Sequence, residues 1–372
     1  MSEQKQVCPN VDKTDCRNTL RSGFTTGTCV AAASKAALMF WLGDLPRAVE
    51  TTLPTGEKLS IPIFALEKNP EQASAFVIKD AGDDPDVTDG LLIGTRLTFQ
   101  PGRGQITIQG GEGVGQVTRP GLLVKVGEWA INPVPRRQIE ENVREVLPEG
   151  WDVTVEVVVP EGKEAARHTF NTRLGIEGGI SILGTTGRVK PMSVEAYRET
   201  IACSIRQAKA MGEDPVVLVP GNYGEQMALA CGFPKSSLVR ISGYVGFALD
   251  ECARGKVPRV LMLGQVGKMV KVAGGNFNTH QEASDARREI LFAHLVRFRL
   301  PRKYWDAVWQ ASSSEEAAHL VRQWNLQKKF WDYLAGVISK RVSERTRGAV
   351  RANSMIFSLK NGILGSDGTW GG

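Results

Sequence analysis

Residues 173–193 read RLGIEGGISILGTTGRVKPMS. The apolar run Ile180 to Leu183 predicts a strand, the turn Gly184-Thr185-Thr186-Gly187 follows it, and Ser193 is placed to cap the next helix. In α/β proteins a strand, a polar turn and a helix start together present backbone N–H groups and hydroxyls to a polar or anionic ligand. We therefore predict that this turn binds a ligand, and an ordinary strand-to-helix connection is the alternative.

Similar units follow along the chain. Apolar runs at 216–219, 238–241 and 260–263 alternate with helical stretches, and each run ends in a turn that carries two glycines. Such alternation indicates a parallel sheet covered on both faces. Ligands of these sheets bind beyond the carboxyl ends of the strands, where glycine lets the backbone approach a ligand closely. The sequence therefore predicts a small-molecule crevice at these strand ends.

The 372 residues predict two domains, of α+β and α/β class. Residues 1–19 form a polar leader, 20–162 a mixed or antiparallel α+β domain, and 163–300 a three-layer Rossmann-like parallel-sheet domain. Residues 301–372 are expected to be helical and to end in a hairpin through Asn361-Gly362 that could return to the first domain. The short strands of the first domain are predicted at 59–64, 76–78, 96–99, 105–108, 122–126 and 153–159.

Composition narrows the function classes. The start lacks a signal pattern and no apolar run approaches membrane-spanning length, so we expect a cytoplasmic protein without a membrane partner. The six cysteines form no CxxC pair, so neither a zinc site nor a disulfide framework is indicated. A net charge of +6 favours an anionic partner. The sequence has no dense run of Lys and Arg interleaved with aromatic residues, so it does not indicate nucleic-acid binding.

A hydroxyl-rich helix start precedes the alanine-rich segment 29–38. Thr25, Thr26 and Thr28 offer hydroxyls beside free helix N–H groups, which suits a carboxylate or phosphate. Ordinary N-capping is the alternative, but it needs only one hydroxyl. We favour the ligand interpretation.

Five aspartates lie between Asp80 and Asp89, including Asp83 and Asp84. Their spacing is not that of an EF-hand, and Asp, Gly and Pro are also the residues of ordinary turns. We predict no metal site here and favour a role in orienting a substrate or closing a crevice.

Several motifs are absent. The predicted parallel sheet has no G-x-G-x-x-G after its first strand, which argues against a nicotinamide or flavin dehydrogenase. Residues 264–268, GQVGK, lack the glycine and the Ser/Thr of a P-loop, so we exclude an NTPase. Neither G-x-S-x-G nor H-E-x-x-H occurs.

Six segments together resemble the cobalt-precorrin-5B C1-methyltransferase (CbiD) family of the anaerobic cobalamin pathway. They are SGFTTGTCVAAASKAA, DAGDDPDVTDG, GEWAINPVPR, NTRLGIEGGISILGTTGRVKPMS, VPGNYGE and GGNFNTHQEASDAR, and they run in order from about residue 20 to residue 290. The resemblance implies methyl transfer from S-adenosylmethionine to C1 of cobalt-precorrin-5B, giving cobalt-precorrin-6A. Cobalt then belongs to the substrate alone.

The resemblance also implies roles for particular residues. A macrocycle fringed with acetate and propionate groups matches hydroxyls and scattered cations, and Asn222 and Glu225 could hold the ribose of the methyl donor. Expected substrate-binding residues are Arg21, Thr25, Thr26, Thr28, Asp83, Asp84, Arg173, Arg188 and Lys190. Expected donor-binding residues are Gly184, Thr185, Thr186, Gly187, Gly221, Asn222, Glu225 and Gly243.

The implied chemistry is a direct displacement in which the protein mainly positions the reactants. His280, supported by Asp285, is a hypothetical base or proton shuttle, and binding of a carboxylate by His280 is the alternative. Two other functions stay open, namely a tetrapyrrole reductase and a corrinoid carrier or chaperone without methyl transfer. A homo-oligomer and transient contacts with neighbouring pathway enzymes are further expectations.

Overall fold

The computed structural model describes residues 20–69, 71–191, 193–299, 301–324 and 327–368. The helices are α1 (Thr26–Leu42), α2 (Pro133–Arg144), α3 (Gly162–Ala166), α4 (Val194–Ala210), α5 (Asn222–Ala230), α6 (Val245–Arg254), α7 (Val266–Ala273), α8 (Arg287–Val296), α9 (Arg302–Gln310), α10 (Ser314–Gln323) and α11 (Gln327–Arg345). The strands are β1 (Gly23–Phe24), β2 (Ala48–Thr52), β3 (Lys58–Pro62), β4 (Ala65–Lys68), β5 (Gln72–Ile78), β6 (Leu92–Pro101), β7 (Ile106–Gly110), β8 (Gln116–Val117), β9 (Trp151–Val158), β10 (Ile176–Glu177), β11 (Arg188–Val189), β12 (Val216–Val219), β13 (Leu238–Arg240), β14 (Arg259–Gln265), β15 (Arg351–Ser358) and β16 (Gly362–Ser366).

The chain divides into two compact units built from interleaved segments. The first unit contains the described residues of Met1–Gly115, Ala130–Thr169 and Gly178–Met192, and the second contains those of Gln116–Trp129, Phe170–Glu177 and Ser193–Gly372. The sequence analysis instead expected contiguous domains that meet at residue 162. The segment 178–191 lies in the first unit because β11 pairs with β1, and the loop before β11 covers the start of α1.

The first unit is built around a five-stranded sheet with the order β4-β5-β6-β9-β7. All neighbouring pairs are antiparallel except β7 and β9. Val153, Val155 and Val157 alternate along β9 and are buried, as the two-residue period of a strand requires. Helix α1 packs on β5 and β6, and its alanines are fully buried because small side chains allow close approach.

The second unit contains a five-stranded sheet with the order β13-β12-β14-β15-β16. The first four strands are parallel and β16 is antiparallel to β15. Val216 and Leu218 of β12 face an apolar cluster built with α4, α6, α7 and α11, whereas Val217 and Val219 face a second cluster with α5. The sheet is therefore covered on both faces, and this explains why its strands read as continuous apolar runs.

The structure confirms the predicted strands at 216–219, 238–241 and 260–263 within a residue or two. The terminal hairpin is also confirmed, and it extends the sheet of the second unit rather than returning to the first. Two strand predictions are wrong. Residues 180–183 make only isolated bridges, Ile180 to Val114 and Ile182 to Ile131, and residues 122–126 form bends and turns.

In the described part of the chain, no helix has both the length and the apolar character needed to cross a membrane.

Candidate functional site

The candidate site lies at the carboxyl edge of the parallel sheet, which we define as residues 220–225, 240–244 and 265–268. Strands β12, β13 and β14 are parallel and hydrogen-bonded side by side, so their carboxyl ends meet at this edge. The chain leaves β12 through α5 to reach β13 on one side, while β14 lies on the other side of β12. Ligands of open α/β sheets bind where the strand order reverses in this way.

A charged network occupies the end of β12. The carboxylate of Glu225, whose side chain is 13 % exposed, lies 3.4 Å from Nη1 of Arg173 and 3.7 Å from Nε of Arg240. Nη1 of Arg240 also donates to Oδ1 of Asn222 at 2.6 Å. Two guanidinium groups around one carboxylate leave an excess positive charge, which suits an anionic ligand.

Arg240 was missed by the sequence analysis. Its only sequence signal is that it ends an otherwise apolar run, Leu238 to Arg240, at the strand end where a functional side chain is expected.

Lys268 joins the ends of β12 and β14. Its Nζ donates to the carbonyl oxygen of Pro220 at 2.6 Å. Burial lowers the pKa of Lys268, and the nearby charge of Lys271 lowers it further. Gly221, at φ 130°, leaves open the space beside this ammonium group, since a Cβ there would lie 3.4 Å from Nζ. The sequence analysis had considered Lys268 only as part of an incomplete P-loop.

His280 packs directly on the backbone of Gly243. A Cβ on Gly243 would lie 2.1 Å from Cδ2 of His280, so the imidazole ring requires glycine at this position. The ring meets Tyr244 edge-on, with centroids 5.4 Å apart, and the N–H of Thr279 donates to the carbonyl oxygen of Gly243 at 3.0 Å. The structure thus brings together His280, which was predicted as a catalytic residue, and Gly243, which was predicted to bind the donor.

Lys271 holds the loop that carries His280. It is 3 % exposed, and its Nζ lies 3.3 Å from the carbonyl oxygen of Thr279 and 3.2 Å from that of His280. Burial lowers the pKa of Lys271, the charge of Arg287 lowers it further and that of Asp285 opposes this.

Asp285 bonds to Arg287 rather than to His280. The Nε of Arg287 donates to Oδ1 of Asp285 at 2.6 Å, and the structure shows no hydrogen bond from the His280 ring to any described residue. The catalytic dyad of His280 and Asp285 therefore stays a prediction that these contacts do not favour.

An aromatic group flanks His280. Tyr197 and Tyr244 lie with their ring centroids 5.6 Å apart, and the guanidinium of Arg198 lies 5.5 Å from the Tyr244 ring. Burial raises the pKa of Tyr197, while the Arg240 charge and a hydrogen bond with Ser242 lower it. The sequence analysis did not select Tyr197 as a site residue.

The predicted ligand turn Gly184–Gly187 belongs to the first unit, where it closes over the start of α1. Gly184 has φ 137°, and a Cβ there would lie 2.3 Å from Oγ1 of Thr25. Thr185 and Thr186 are exposed at the tip of this turn. Their predicted contact with a donor stays a prediction.

The threonines at the start of α1 hold that turn. Oγ1 of Thr28 donates to the carbonyl oxygen of Gly187 at 2.9 Å, and Oγ1 of Thr26 accepts from the N–H of Leu183 at 2.9 Å. Helix N–H groups that were expected to be free are also used, since Gly27 N donates to Leu183 O at 3.1 Å and Thr28 N to Oγ1 of Thr25 at 3.3 Å. With Thr25, Thr26 and Thr28 all buried, their substrate-binding role stays a prediction that the contacts do not favour.

The aspartate loop forms turns and ion pairs. Asp80 pairs with Arg21 through both carboxylate oxygens, and the Arg21 N–H donates to Oδ2 of Asp83 at 2.6 Å. Oδ2 of Asp86 accepts a hydrogen bond from Nζ of the buried Lys79 at 2.7 Å. Asp84 also has an interaction partner. Within the described ranges, no three His, Cys, Asp or Glu side chains cluster so as to hold a metal ion.

The two remaining cations predicted to bind substrate lie in or just after β11. Arg188 pairs with Glu57, and this hydrogen bond lowers the pKa of the Glu57 carboxyl. Lys190 is exposed. Their contact with a substrate is a prediction.

Comparisons with known proteins identify two family models in this chain. The model described as CbiD matches residues 13–191, and the model described as the CbiD C-terminal domain matches residues 278–368.

Curated relatives match almost the whole chain. A protein of Moorella thermoacetica named cobalt-precorrin-5B C(1)-methyltransferase is 44 % identical over 361 residues, which cover 95 % of this chain and 98 % of the relative. A protein of Methanocaldococcus jannaschii with the same name is 39 % identical, with 95 % and 98 % covered. A crystal structure of a cobalamin biosynthesis protein (cbiD) from Archaeoglobus fulgidus is 29 % identical, covers 73 % of this chain and 84 % of its own, and has a TM-score of 0.39.

Proposed function

This chain belongs to the CbiD family, and on that premise we propose that it is a cobalt-precorrin-5B C1-methyltransferase of the cobalamin pathway. The observation that carries the proposal is the match to relatives of this name over nearly their full length. We propose cobalt-precorrin-6A as the product and S-adenosylmethionine as the methyl donor. Cobalt enters as part of the substrate.

The charge of the carboxyl edge supports an anionic macrocycle as the substrate. Arg173 and Arg240 converge on Glu225, which holds both guanidinium groups at the strand end. Planar guanidinium groups bind carboxylates through paired hydrogen bonds, and the macrocycle carries several carboxylates. We propose that Arg173 and Arg240 bind one of them and that Glu225 keeps both side chains in place.

Parts of this edge also fit a sulfonium donor. Gly221 leaves room at the end of β12, Asn222 offers an amide for a ribose hydroxyl, and the rings of Tyr197 and Tyr244 offer faces that attract a cation. When bound, S-adenosylmethionine supplies an activated methyl group for direct displacement. The strand order and the helices on both faces support a Rossmann-like use of this edge.

Positioning is the contribution that we assign to most of these residues. Lys268 fixes the ends of β12 and β14 relative to each other, and Lys271 fixes the loop that carries His280. By fixing the backbone around the ligands, these lysines keep the reactants in line, and this lowers the entropic barrier to methyl transfer. We propose that His280 either receives a proton from the ring or binds one of its carboxylates, and its packing on Gly243 supports a defined position for the imidazole.

The test is a calorimetric titration of the full chain with S-adenosylhomocysteine, with and without a cobalt tetrapyrrole. We expect saturable binding that strengthens with the macrocycle, followed by methyl transfer to C1 in a turnover assay. Arg240→Gln should raise KM for the macrocycle and leave the affinity for S-adenosylhomocysteine within about twofold. Arg259→Gln, at the amino-terminal end of β14, is the matched control and should leave both quantities unchanged.

Absence of S-adenosylhomocysteine binding under both conditions would overturn the donor assignment. Binding of the macrocycle alone, without methyl transfer, would instead identify a corrinoid carrier. A cytoplasmic location, a homo-oligomer and contacts with pathway enzymes stay predictions from the sequence.

A further inference from the structure

A polar cavity lies in the second unit where α8 begins, α9 ends and α10 begins. Its volume is about 240 Å³, and Arg287, Arg288, Glu289 and three consecutive serines, Ser312 to Ser314, are part of its lining. Pockets that enclose a whole drug-sized ligand have volumes of roughly 300–1,000 Å³. This cavity therefore suits one arm of a ligand and not a complete macrocycle or nucleoside.

One hydroxyl that lines this cavity has no hydrogen-bond partner among the residues that the structure describes. Ser314 is only 8 % exposed, and its hydroxyl makes no hydrogen bond with any residue that the structure describes. The neighbouring hydroxyls are used, because Ser312 donates to Glu316 at 2.6 Å and Ser313 accepts from the Glu316 N–H at 3.1 Å. The Ser314 oxygen is open to the cavity, so it can exchange a hydrogen bond with a group bound there.

The start of α10 adds backbone donors at the same place. Ser313 caps this ten-residue helix, and the first N–H groups of a helix have no partner within it. The helix dipole favours an anion at this end. Glu315 does not fill the site, because its carboxylate accepts from Gln265 at 2.9 Å and from the Leu359 N–H at 3.2 Å.

Two guanidinium groups also line the cavity. Asp285 bonds to the Nε side of Arg287, while Nη1 of Arg287 lies 3.8 Å from the place that a Cβ on Gly267 would take. Arg288 lies 5.7 Å from the ring of Trp309. Glu289 is the acid that opposes an anion here, since the charge of Asp285 is already offset by Arg287.

The cavity adjoins the carboxyl edge. Gly267 follows the end of β14, and a Cβ on it would lie 3.6 Å from the hydroxyl oxygen of Ser314. We propose that this cavity binds one anionic oxygen group and, resting on the proposed function, that the group is a carboxylate side chain of the macrocycle. Arg288, the Ser314 hydroxyl and the α10 N–H groups supply the donors.

The test is a calorimetric titration of the full chain with sodium propionate and, separately, with inorganic phosphate, in the absence of macrocycle and donor. We expect saturable propionate binding that weakens about tenfold in Arg288→Gln and about threefold in Ser314→Ala, because charge-assisted hydrogen bonds are the stronger ones. Glu289→Gln should tighten binding, since it removes the opposing charge. Arg302→Gln, at an α9 side chain that is 88 % exposed, removes the same charge elsewhere and should leave binding unchanged.

Four results would overturn the proposal. The first is no saturable propionate binding by the native chain, and the second is equal weakening by Arg302→Gln and Arg288→Gln. The third is binding of phosphate but not propionate, which would identify a phosphate ligand. The fourth is a carboxylate-bearing cobalt tetrapyrrole that saturates the chain without displacing propionate. Failure of the proposed function would appear separately, in the S-adenosylhomocysteine titration and the turnover assay.

Discussion

Gly243 shows how one missing methyl group positions a functional side chain. Because Gly243 has no Cβ, the His280 ring can occupy that space, and the N–H of Thr279 donates to the carbonyl oxygen of Gly243. Because His280 is exposed, its ring can move away without disturbing the core. A substitution that adds a side chain at residue 243 should therefore displace the imidazole more than it lowers the stability of the fold.

We expect Gly243→Ala to lower kcat by roughly 10²-fold, because a displacement of about 1 Å in a reacting group can cost that much. The free energy of unfolding should fall by about 1 kcal/mol or less, since the displaced ring is at the surface. Turnover and urea unfolding measure the two effects. Gly336→Ala is the matched control, because a Cβ there meets only the Asp367 Cβ, at 4.0 Å. A Gly243→Ala variant with native kcat would show that the position of His280 is irrelevant to the reaction.

Lys79 and Asp86 form a buried ion pair in the aspartate loop. The Lys79 side chain is 1 % exposed and its Nζ lies 2.7 Å from Oδ2 of Asp86. Burial alone would raise the pKa of Asp86, but the charge and hydrogen bond of Lys79, with hydrogen bonds from Thr88, bring it below its ordinary value of 3.8. A carboxyl with a lowered pKa stabilises the fold above its ordinary pKa, and the stabilisation is lost as pH falls through the lowered value.

Asp86→Asn should therefore reduce the free energy of unfolding by about 3 kcal/mol at pH 7, because it leaves the Lys79 ammonium buried and unpaired. The difference from the native chain should shrink as pH falls below about 3.8. Urea unfolding between pH 7 and pH 3 measures both. Asp44→Asn, at an exposed aspartate, should change little. A loss that is independent of pH would contradict the ion-pair explanation.

At the scale of elements, the start of α1 and the loop 181–187 form one hydrogen-bonded assembly. The Thr28 hydroxyl donates to Gly187 and accepts from Nε2 of Gln138 at 3.2 Å, and Thr28 is fully buried. These contacts assign the threonine a structural role, whereas the sequence analysis favoured a ligand. The two interpretations predict different kinetics.

Thr28→Val keeps the shape of the side chain and removes the hydrogen bonds of its hydroxyl with Gly187 and Gln138. The Gly187 carbonyl keeps the N–H of Thr25 and the Gln138 amide keeps the Thr52 carbonyl, so we expect a loss of about 1 kcal/mol in the free energy of unfolding. KM for the macrocycle should stay native at a temperature where the variant is folded. Thr185→Val, at the exposed turn, should leave stability unchanged within about 0.5 kcal/mol. A raised KM in folded Thr28→Val would restore the ligand interpretation.

The elements that the sequence predicted correctly have local signals. The alternating valines of β9, the continuous apolar runs of β12 and β14 and the Asn361-Gly362 turn each identify their own structure. Residues 180–183 have the same apolar run but lie in the first unit as isolated bridges, because pairing partners are chosen by tertiary packing. The fourth parallel strand, β15, comes from the far end of the chain, and no local pattern reveals that order.

The sequence also predicts part of the candidate site. The carboxyl edge and its glycine turns follow from the strand ends, and the resemblance adds Asn222, Glu225 and His280. Arg240, Lys268 and Tyr197 were missed because each is a single side chain on an ordinary element, and only the folded sheet brings them together. The cavity at the start of α10 depends on three helices distant in sequence, so no local motif could have shown it.

At the scale of the whole molecule, charge connects composition to the proposed substrate. The chain carries a net charge of +6, and two arginines face the carboxyl edge beside one glutamate. A polycarboxylate substrate should be attracted to such a surface at long range, whereas a cationic sulfonium donor should not. Mobile ions screen charges over about 10 Å at 0.1 M salt, so the attraction depends on ionic strength.

We therefore expect KM for the macrocycle to rise several-fold between about 0.01 M and 0.5 M salt, with kcat nearly constant, because screening weakens encounter and not the chemical step. KM for the sulfonium donor should stay level or fall slightly over the same range. Arg240→Gln should flatten the salt dependence of KM for the macrocycle. Arg302, on α9, has a side chain that is 88 % exposed, and Arg302→Gln should preserve most of that salt dependence. Equal salt dependence for the two substrates would contradict electrostatic attraction of the macrocycle, and equal flattening by Arg302→Gln and Arg240→Gln would assign the attraction to net charge and not to the carboxyl edge.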